Sequence, residues 1–340
     1  MKSAGKRIRH RAEWLAIRTL AWVVPLLPRR VCHLLADAFG AAAAYVHWPG
    51  RRVALENLRA AFGSETPRSD YALLVRQSYQ HFARAMADLF WSPRLTAENV
   101  CEIFDLSDLD RLRQMPGEGE GMIFACLHYG GFEWIALALG LSGFQCTVVT
   151  QAFKNSLLDS TFNSLREVSG HQTIRREGAM LRLYKALRGG RCVTLAVDLT
   201  ISAKLPSVPI TCFGMETCVT FAHAWLHKRT GAAIIPTHCE PLAGGRYRLV
   251  LHPPLLVAPE ATHQQIAQVC WECFEPVIRH NPAPWLWMYK HWRYRPDHAS
   301  ERYPSYANSS PHFDRLLART TRETPDVSAE TNVAATSVSG

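Results

Sequence analysis

Apolar positions along the first hundred residues recur at helical spacing. Leu55, Leu58 and Phe62 fall on one face, and a longer stripe runs through Val75, Tyr79, Phe82, Met86 and Leu89. Core-facing helices are therefore predicted across this region. From about residue 121 the rhythm changes to short apolar runs alternating with amphipathic segments. Strands are predicted at Met122–Leu127, Cys146–Thr150, Cys192–Val197, Val208–Phe213, Ala232–His238 and Tyr247–Leu251, with helices near 132–141, 156–169, 179–188, 217–230 and 262–280. That alternation predicts an α/β fold: a mixed or largely parallel sheet flanked by helices, preceded by a helical N-terminal region. Beyond Pro296 the large apolar residues thin out in favour of Ser, Thr, Ala and Asn. No internal repeat is visible.

Charge changes this picture at the N-terminus. The chain has 38 Lys and Arg against 29 Asp and Glu, a net charge of +9, which points to an anionic partner: a membrane surface, a phosphorylated substrate or nucleic acid. Residues 1–30 alone carry Lys2, Lys6, Arg7, Arg9, Arg11, Arg18, Arg29 and Arg30 against Glu13. No apolar run reaches the ~20 residues of a spanning helix, which excludes a multi-span protein. A cleaved signal peptide fits poorly, because Pro25, Pro28 and two arginines stand where small cleavage-site residues belong. Residues 13–48 read as helices lying in or dipping into a bilayer interface, with Trp14, Trp22, Tyr45 and Trp48 at headgroup level. An ordinary buried helical hairpin with a basic start stays open as the alternative. The expected organisation is a helical, membrane-associating region over 1–100, an α/β domain over 101–298 and a low-complexity, largely disordered tail over 299–340, with Leu316 and Leu317 able to dock.

Ten cysteines sit mostly in apolar strand-like runs, where Cys acts as a small core hydrophobe. They form no disulfide framework and fit a reducing compartment. Cys270 and Cys273 form a Cys-x-x-Cys pair within a helix-like stretch, without the second pair that a zinc site needs. No metal or cofactor is expected. The chain lacks a G-x-S-x-G elbow, a G-x-x-x-x-G-K-[ST] loop and an H-E-x-x-H helix. Gly117–Gly121 precedes a strand instead of following one, and reads as a turn.

The sharpest positive signal is Cys126-Leu127-His128-Tyr129-Gly130-Gly131-Phe132-Glu133-Trp134. An apolar strand ends at His128, Gly130 and Gly131 permit a tight turn, and Glu133 falls in the first turn of the next helix. Strand ends in open α/β sheets are where ligands bind. Glu133 is expected to reach back to one imidazole nitrogen, so that the other faces outward as a base. A satisfied strand-end histidine beside a glutamate that complements a helix N-terminus is the plainer reading. Asp198 closes the apolar run Val193–Val197 and is placed at the same sheet edge, whereas Arg166 lies on an amphipathic helix. Lys290, His291, Arg293 and Arg295 interleave with Trp285, Trp287, Trp292 and Tyr294. That pattern suits single-stranded nucleic acid or a phosphorylated glycolipid headgroup.

His128-X4-Glu133 resembles the His-X4-Asp/Glu motif of glycerolipid acyltransferases. In its His-Tyr-Gly-Gly-Phe-Glu form it is similar to the motif of bacterial lipid A late (lauroyl/myristoyl) acyltransferases. Arg51–Phe62 looks like that family's Arg-rich, Asn-Leu-containing segment, and Lys154-Asn155-Ser156-Leu157-Leu158-Asp159 followed by Arg166 is similar to its Lys-Asn-x-x-x-Asp stretch and later arginine. Trp285–Arg293 looks like its terminal tryptophan-and-basic motif. The sequence departs from the family at Gly131 and Phe132, at Gln151-Ala152, and at Leu199, where Gln usually follows the Asp.

The resemblance implies a membrane-peripheral O-acyltransferase at the cytoplasmic face of the bacterial inner membrane. His128 would be the base and Glu133 its partner. Arg166, Asp198, Lys154, Asn155, Gly130 and Gly131 would contact substrate; from their place at a helix start, backbone N–H groups near the two glycines are expected to donate to the thioester oxyanion. The implied donor is acyl carrier protein or a coenzyme A thioester, and the implied acceptor is a lipid A precursor or similar anionic glycolipid, with no nucleic acid. A lysophospholipid acceptor, and a non-catalytic membrane- or nucleic-acid-binding protein, are the alternatives.

Overall fold

The computed structural model describes residues 2–63, 68–113, 121–297, 299 and 302–323; the predicted turn at Gly117–Gly121 lies outside them except for its last residue. Four long helices lead: α1 (Lys2–Val23), α2 (Arg29–Val46), α3 (Trp48–Phe62) and α4 (Arg68–Trp91). The α2 helix shows why the two long helices α2 and α4 pack closely. Cys32, Ala36, Gly40 and Ala44 form its buried stripe, and a Cβ at Gly40 would stand 2.7 Å from the Gln80 backbone on α4. Small residues four apart let the two backbones approach. The opposite face of α2 carries Val31, Leu34, Leu35, Phe39, Tyr45 and Val46 to the surface, with Phe39 71% exposed.

The remaining chain alternates strands and helices: α5 (Val100–Ile103), β1 (Phe104–Asp105), α6 (Asp108–Arg113), β2 (Ile123–Gly130), α7 (Ile135–Leu141), β3 (Cys146–Thr150), α8 (Asp159–Arg166), β4 (Gln172–Arg175), α9 (Ala179–Arg188) and β5 (Cys192–Ala196). Next come β6 (Val208–Cys212), β7 (Met215–Val219), α10 (Ala222–Thr230), β8 (Ile234–Pro241), β9 (Tyr247–Leu251), α11 (His263–Glu272), α12 (Glu275–His280), β10 (Tyr294–Arg295), β11 (Asn308–Ser309) and α13 (Pro311–Glu323). Seven strands form one sheet in the order β1-β9-β8-β2-β5-β3-β4. All neighbours are parallel except β8 and β9. The fold is thus α/β with a mostly parallel central sheet flanked by helices, and β2 lies at its centre.

Three expectations need correction. Val208–Phe213 does not join the main sheet: β6 pairs with β7 in a separate antiparallel hairpin. The stretch 217–230 accordingly begins as strand β7 and becomes helix only at Ala222. The segment after 299 is not uniformly disordered either, because α13 forms and Phe313 is fully buried. Its ring, 6.0 Å from that of Tyr294, supplies the apolar anchor that composition alone obscured. Residues 324–340 lie outside the described residues.

Candidate active site

The site forms where β2 and β5 end. Cys126 and Ala196 are register partners, so His128 and Asp198, each two residues further on, emerge side by side at the carboxyl edge of the sheet. The pairing of β2 with β8 shifts register between Cys126 and Gly130, an irregularity of the kind that re-aims a side chain at a strand end. His128 Nδ1 lies 2.8 Å from Asp198 Oδ1, and the His128 backbone N–H donates to Asp198 Oδ2 at 3.0 Å. Trp285 Nε1 donates to the same Oδ2 at 3.0 Å. A carboxylate only accepts, so Nδ1 carries the proton and Nε2 presents its lone pair.

Electrostatics reinforce this arrangement. Burial alone would push the Asp198 carboxyl up, but the His128 imidazole, His291 and the Trp285 N–H hold it below the usual carboxylate range. Burial alone would lower the His128 imidazole. The Asp198 charge and hydrogen bond, with help from Glu133 and against Arg166, raise it above its ordinary value. The His128 side chain is backed by the buried Asp198 and keeps 20% of its surface open.

The expected Glu133–His128 contact is corrected by this geometry. Glu133 sits in a short 3-10 turn, Phe132–Trp134, and is taken by Arg166 at the end of α8 in a two-pronged pair at 2.7 and 2.8 Å. A guanidinium fork matches a carboxylate better than one imidazole nitrogen does, and Asp198 already occupies Nδ1. Asp198, expected as a substrate contact, is thus the residue that pairs with His128, and its side chain is fully buried. The Glu133–Arg166 pair stands close enough for both charges to act on the imidazole.

Two further expectations change. Gly130 N–H already donates to Pro284 O at 3.1 Å, so it is not a free oxyanion donor. Both glycines also answer a packing need. Gly130 has φ of 55°, and a Cβ there would meet Cys239 O at 2.1 Å, while one on Gly131 would press on Cys239 Sγ and the Tyr247 ring. Asn155 is buried, and its side-chain N–H groups donate to His10 O at 2.8 Å and Glu13 Oε2 at 3.0 Å. Its side-chain N–H groups are thus committed to α1. Lys154 next to it is exposed.

Residue-type reasoning passes over several supports. Phe132 lies 5.0 Å from the His128 ring and stacks with Phe82 of α4, forming an aromatic wall. The loop 285–291 that brings in Trp285 is fastened from several sides. Ser78 Oγ donates to Trp285 O at 2.6 Å, and Asn57 Nδ2 donates to Trp287 O and Tyr289 O at 2.7 Å each. Tyr289 Oη donates to Thr200 O at 2.6 Å. Asn57 thus explains the Asn-Leu pair of α3, and the buried tryptophans of the terminal motif serve the core. Among the described residues no group of three or more His, Cys, Asp or Glu could hold a metal ion. A cavity of about 600 Å³, lined in part by Phe104, Arg113, Leu141 and Arg248, includes none of the site residues above.

The chain is 26% identical over 260 residues to the phosphatidylinositol mannoside acyltransferase of Mycolicibacterium smegmatis, covering 75% of this chain and 84% of that protein. It is 22% identical over 298 residues to the lipid A biosynthesis lauroyltransferase of Escherichia coli, covering 85% and 94% respectively. The family described as bacterial lipid A biosynthesis acyltransferase matches residues 1–294. With His128, Glu133, Arg166 and Asp198 all inside a match that takes in nearly the whole chain, this protein belongs to the bacterial lipid A biosynthesis acyltransferase family.

Proposed function

We propose that this protein is a membrane-associated O-acyltransferase that moves a fatty acyl chain from a thioester donor to a hydroxyl of an anionic glycolipid of the lipid A precursor kind. The observation that carries the reading is the His128 imidazole, with Nδ1 held by the buried Asp198 carboxylate and Nε2 making no hydrogen bond among the described residues. In this reading His128 Nε2 takes the acceptor hydroxyl proton as that oxygen attacks the thioester carbonyl carbon. Asp198 stabilises the imidazolium. Arg166, held in place by Glu133, is the cation that answers the negative charge on the carbonyl oxygen. When the tetrahedral intermediate collapses, the C–S bond breaks and the leaving thiolate takes the proton back from His128. Positioned general-base catalysis supplies about 10²–10⁴-fold, and the fixed guanidinium and orientation of the two substrates supply the rest.

The outward face of α2, together with Trp22 and Leu15 on α1, supports seating on a membrane surface. No helix among the described residues is long and apolar enough to cross one. With the cationic start of the chain, these helices suit the anionic cytoplasmic face of a bacterial inner membrane. The donor is acyl carrier protein or coenzyme A thioester. A glycolipid acceptor is preferred over a lysophospholipid because the named relatives are enzymes of lipid A and of phosphatidylinositol mannosides.

The test offers the purified protein labelled acyl thioester with three acceptors: a lipid A precursor, a phosphatidylinositol mannoside and a lysophospholipid. Transfer to either glycolipid supports the reading. Transfer to lysophospholipid alone replaces the acceptor, and binding to anionic vesicles without transfer to any of them overturns the enzymatic reading.

A further inference from the structure

Asp88, on α4, lies outside the residues assigned above, yet its side chain is only 2% exposed. Its carboxylate receives four hydrogen bonds: from Arg29 Nε at 2.8 Å and Nη2 at 3.0 Å, His33 Nε2 at 2.8 Å and Tyr247 Oη at 2.7 Å. A buried carboxylate is costly unless its lone pairs are met, and here every one is. The partners come from α2 and β9, so one side chain joins three elements distant in sequence.

Two of these partners, Tyr247 and Arg29, reach the turn that carries Glu133. The Tyr247 ring lies against Gly131, where an added Cβ would stand 3.0 Å from Cε1 and Cζ. The Arg29 guanidinium lies 4.9 Å from the Trp134 ring centroid and 5.4 Å from that of Tyr247, and its third nitrogen donates to Gly245 O at 2.7 Å. Trp134 Nε1 donates to Ser92 Oγ at 2.8 Å, and Ser92 Oγ donates to the Asp88 backbone carbonyl at 3.3 Å. Gly131 at one end of the turn and Trp134 at the other are therefore braced by groups that meet at Asp88.

We propose that Asp88, acting through Arg29 and Tyr247, is a positioning residue for acyl transfer: it holds the Gly131–Trp134 turn so that the Glu133–Arg166 pair stays in register with His128. This rests on the function proposed above for those three residues. The network touches neither His128 nor Asp198, so its loss impairs the rate while the Nδ1–Asp198 hydrogen bond that sets the tautomer of the base stays in place. A merely structural network would, on loss, lower the melting temperature and leave the turnover of folded protein intact.

The experiment compares Tyr247→Phe, Asp88→Asn, Arg29→Lys and Arg29→Met with the wild type, using labelled acyl transfer to a lipid A precursor and amide hydrogen exchange of residues 131–135. Tyr247→Phe removes one hydroxyl and leaves the ring on Gly131, so it answers even where Asp88→Asn fails to fold. The expected result for Tyr247→Phe is a roughly tenfold lower kcat with unchanged acceptor KM. Arg29→Lys should recover part of the activity that Arg29→Met loses. Protection of the 131–135 amides should fall while that of β5 holds. Wild-type kcat and wild-type protection in folded Tyr247→Phe and Arg29→Met would overturn the proposal. Absence of transfer by the wild type itself would fail the functional reading instead, and the exchange data would still decide whether the network holds the turn.

Discussion

Replacing Asp198 with Asn preserves the side chain's shape and removes its charge, and the donors around Oδ2 fix how the new amide must sit. Oδ2 receives two of them, the His128 backbone N–H and Trp285 Nε1, both at 3.0 Å. The introduced amide must therefore turn its carbonyl oxygen to that side and present its NH₂ group to His128 Nδ1. Nδ1 then accepts, the imidazole proton moves to Nε2, and the outward-facing lone pair disappears. The charge-assisted bond that stabilised the imidazolium is lost as well, worth about 1.5–3 kcal/mol, or about 10–100-fold in rate. Because removing the base forfeits about 10²–10⁴-fold by itself, and the two effects overlap, kcat should fall by about 10²–10⁴-fold with acceptor KM little changed. Single-turnover transfer of a labelled acyl group by folded Asp198→Asn protein measures this. A kcat within a factor of about ten of wild type, below the smallest loss expected from removing the base, would refute the assignment of Asp198 as the group that orients His128.

The other perturbations rest on the same geometry. Trp285→Phe removes one N–H from Asp198, leaving a more basic carboxylate and a still higher His128 pKa. The acid limb of kcat/KM should move to higher pH by up to about one unit, at about 1.4 kcal/mol per unit, with activity recovering in alkali; an equal loss at every pH would contradict it. Burial pushes the imidazoles of His171, His223 and His291 down to about 4 and that of His238 to about 3. Their folded-state values lie below the unfolded ~6.5, so the stability they carry is present above that pH and lost as pH falls toward 4, each by up to about 1.4 kcal/mol per unit. His128 is raised and opposes them singly, so the urea midpoint should drop markedly between about pH 7.5 and 5, the window just around the unfolded value; an equal or higher midpoint at the acid end would be inconsistent. Leu35→Glu with Phe39→Glu, both on the exposed face of α2, should abolish cosedimentation with anionic vesicles in high salt while leaving folding intact. Full retention on those vesicles would place membrane contact elsewhere.

Legibility in the sequence depends on whether the signal is local. Short runs rich in β-branched and apolar residues mark the strands Cys146–Thr150 and Tyr247–Leu251 to the residue, because such residues between turn-forming segments announce strands. The strand β4, Gln172–Arg175, escapes such a reading: it lies at the sheet edge and only Ile174 is fully buried, so it carries almost no apolar pattern. β7 merges with a helix in the sequence pattern because Met215–Val219 precedes α10 closely and its pairing with β6 is a tertiary fact. In the site, the apolar runs before His128 and Asp198 place both at strand ends. Their partnership is invisible in the pattern, because it depends on β2 and β5 being neighbours in register across 70 residues of chain. The Glu133–Arg166 pair is hidden for the same reason, since only the packing of α8 beside the 132–134 turn brings the fork to the carboxylate. Asp88 gives no sequence signal at all, being one acid on an amphipathic helix until α2 and β9 close over it.

The proposed reaction stands on His128 as the base for acyl transfer to a glycolipid hydroxyl. Its most direct measurement is transfer of a labelled acyl group from its thioester to a lipid A precursor by wild-type and folded His128→Ala protein, with product identified by mass spectrometry. An ester-linked acylated glycolipid is expected from the wild type, and a rate at least about 10²-fold lower from the variant, with acceptor binding retained. Equal product from His128→Ala would contradict the assignment.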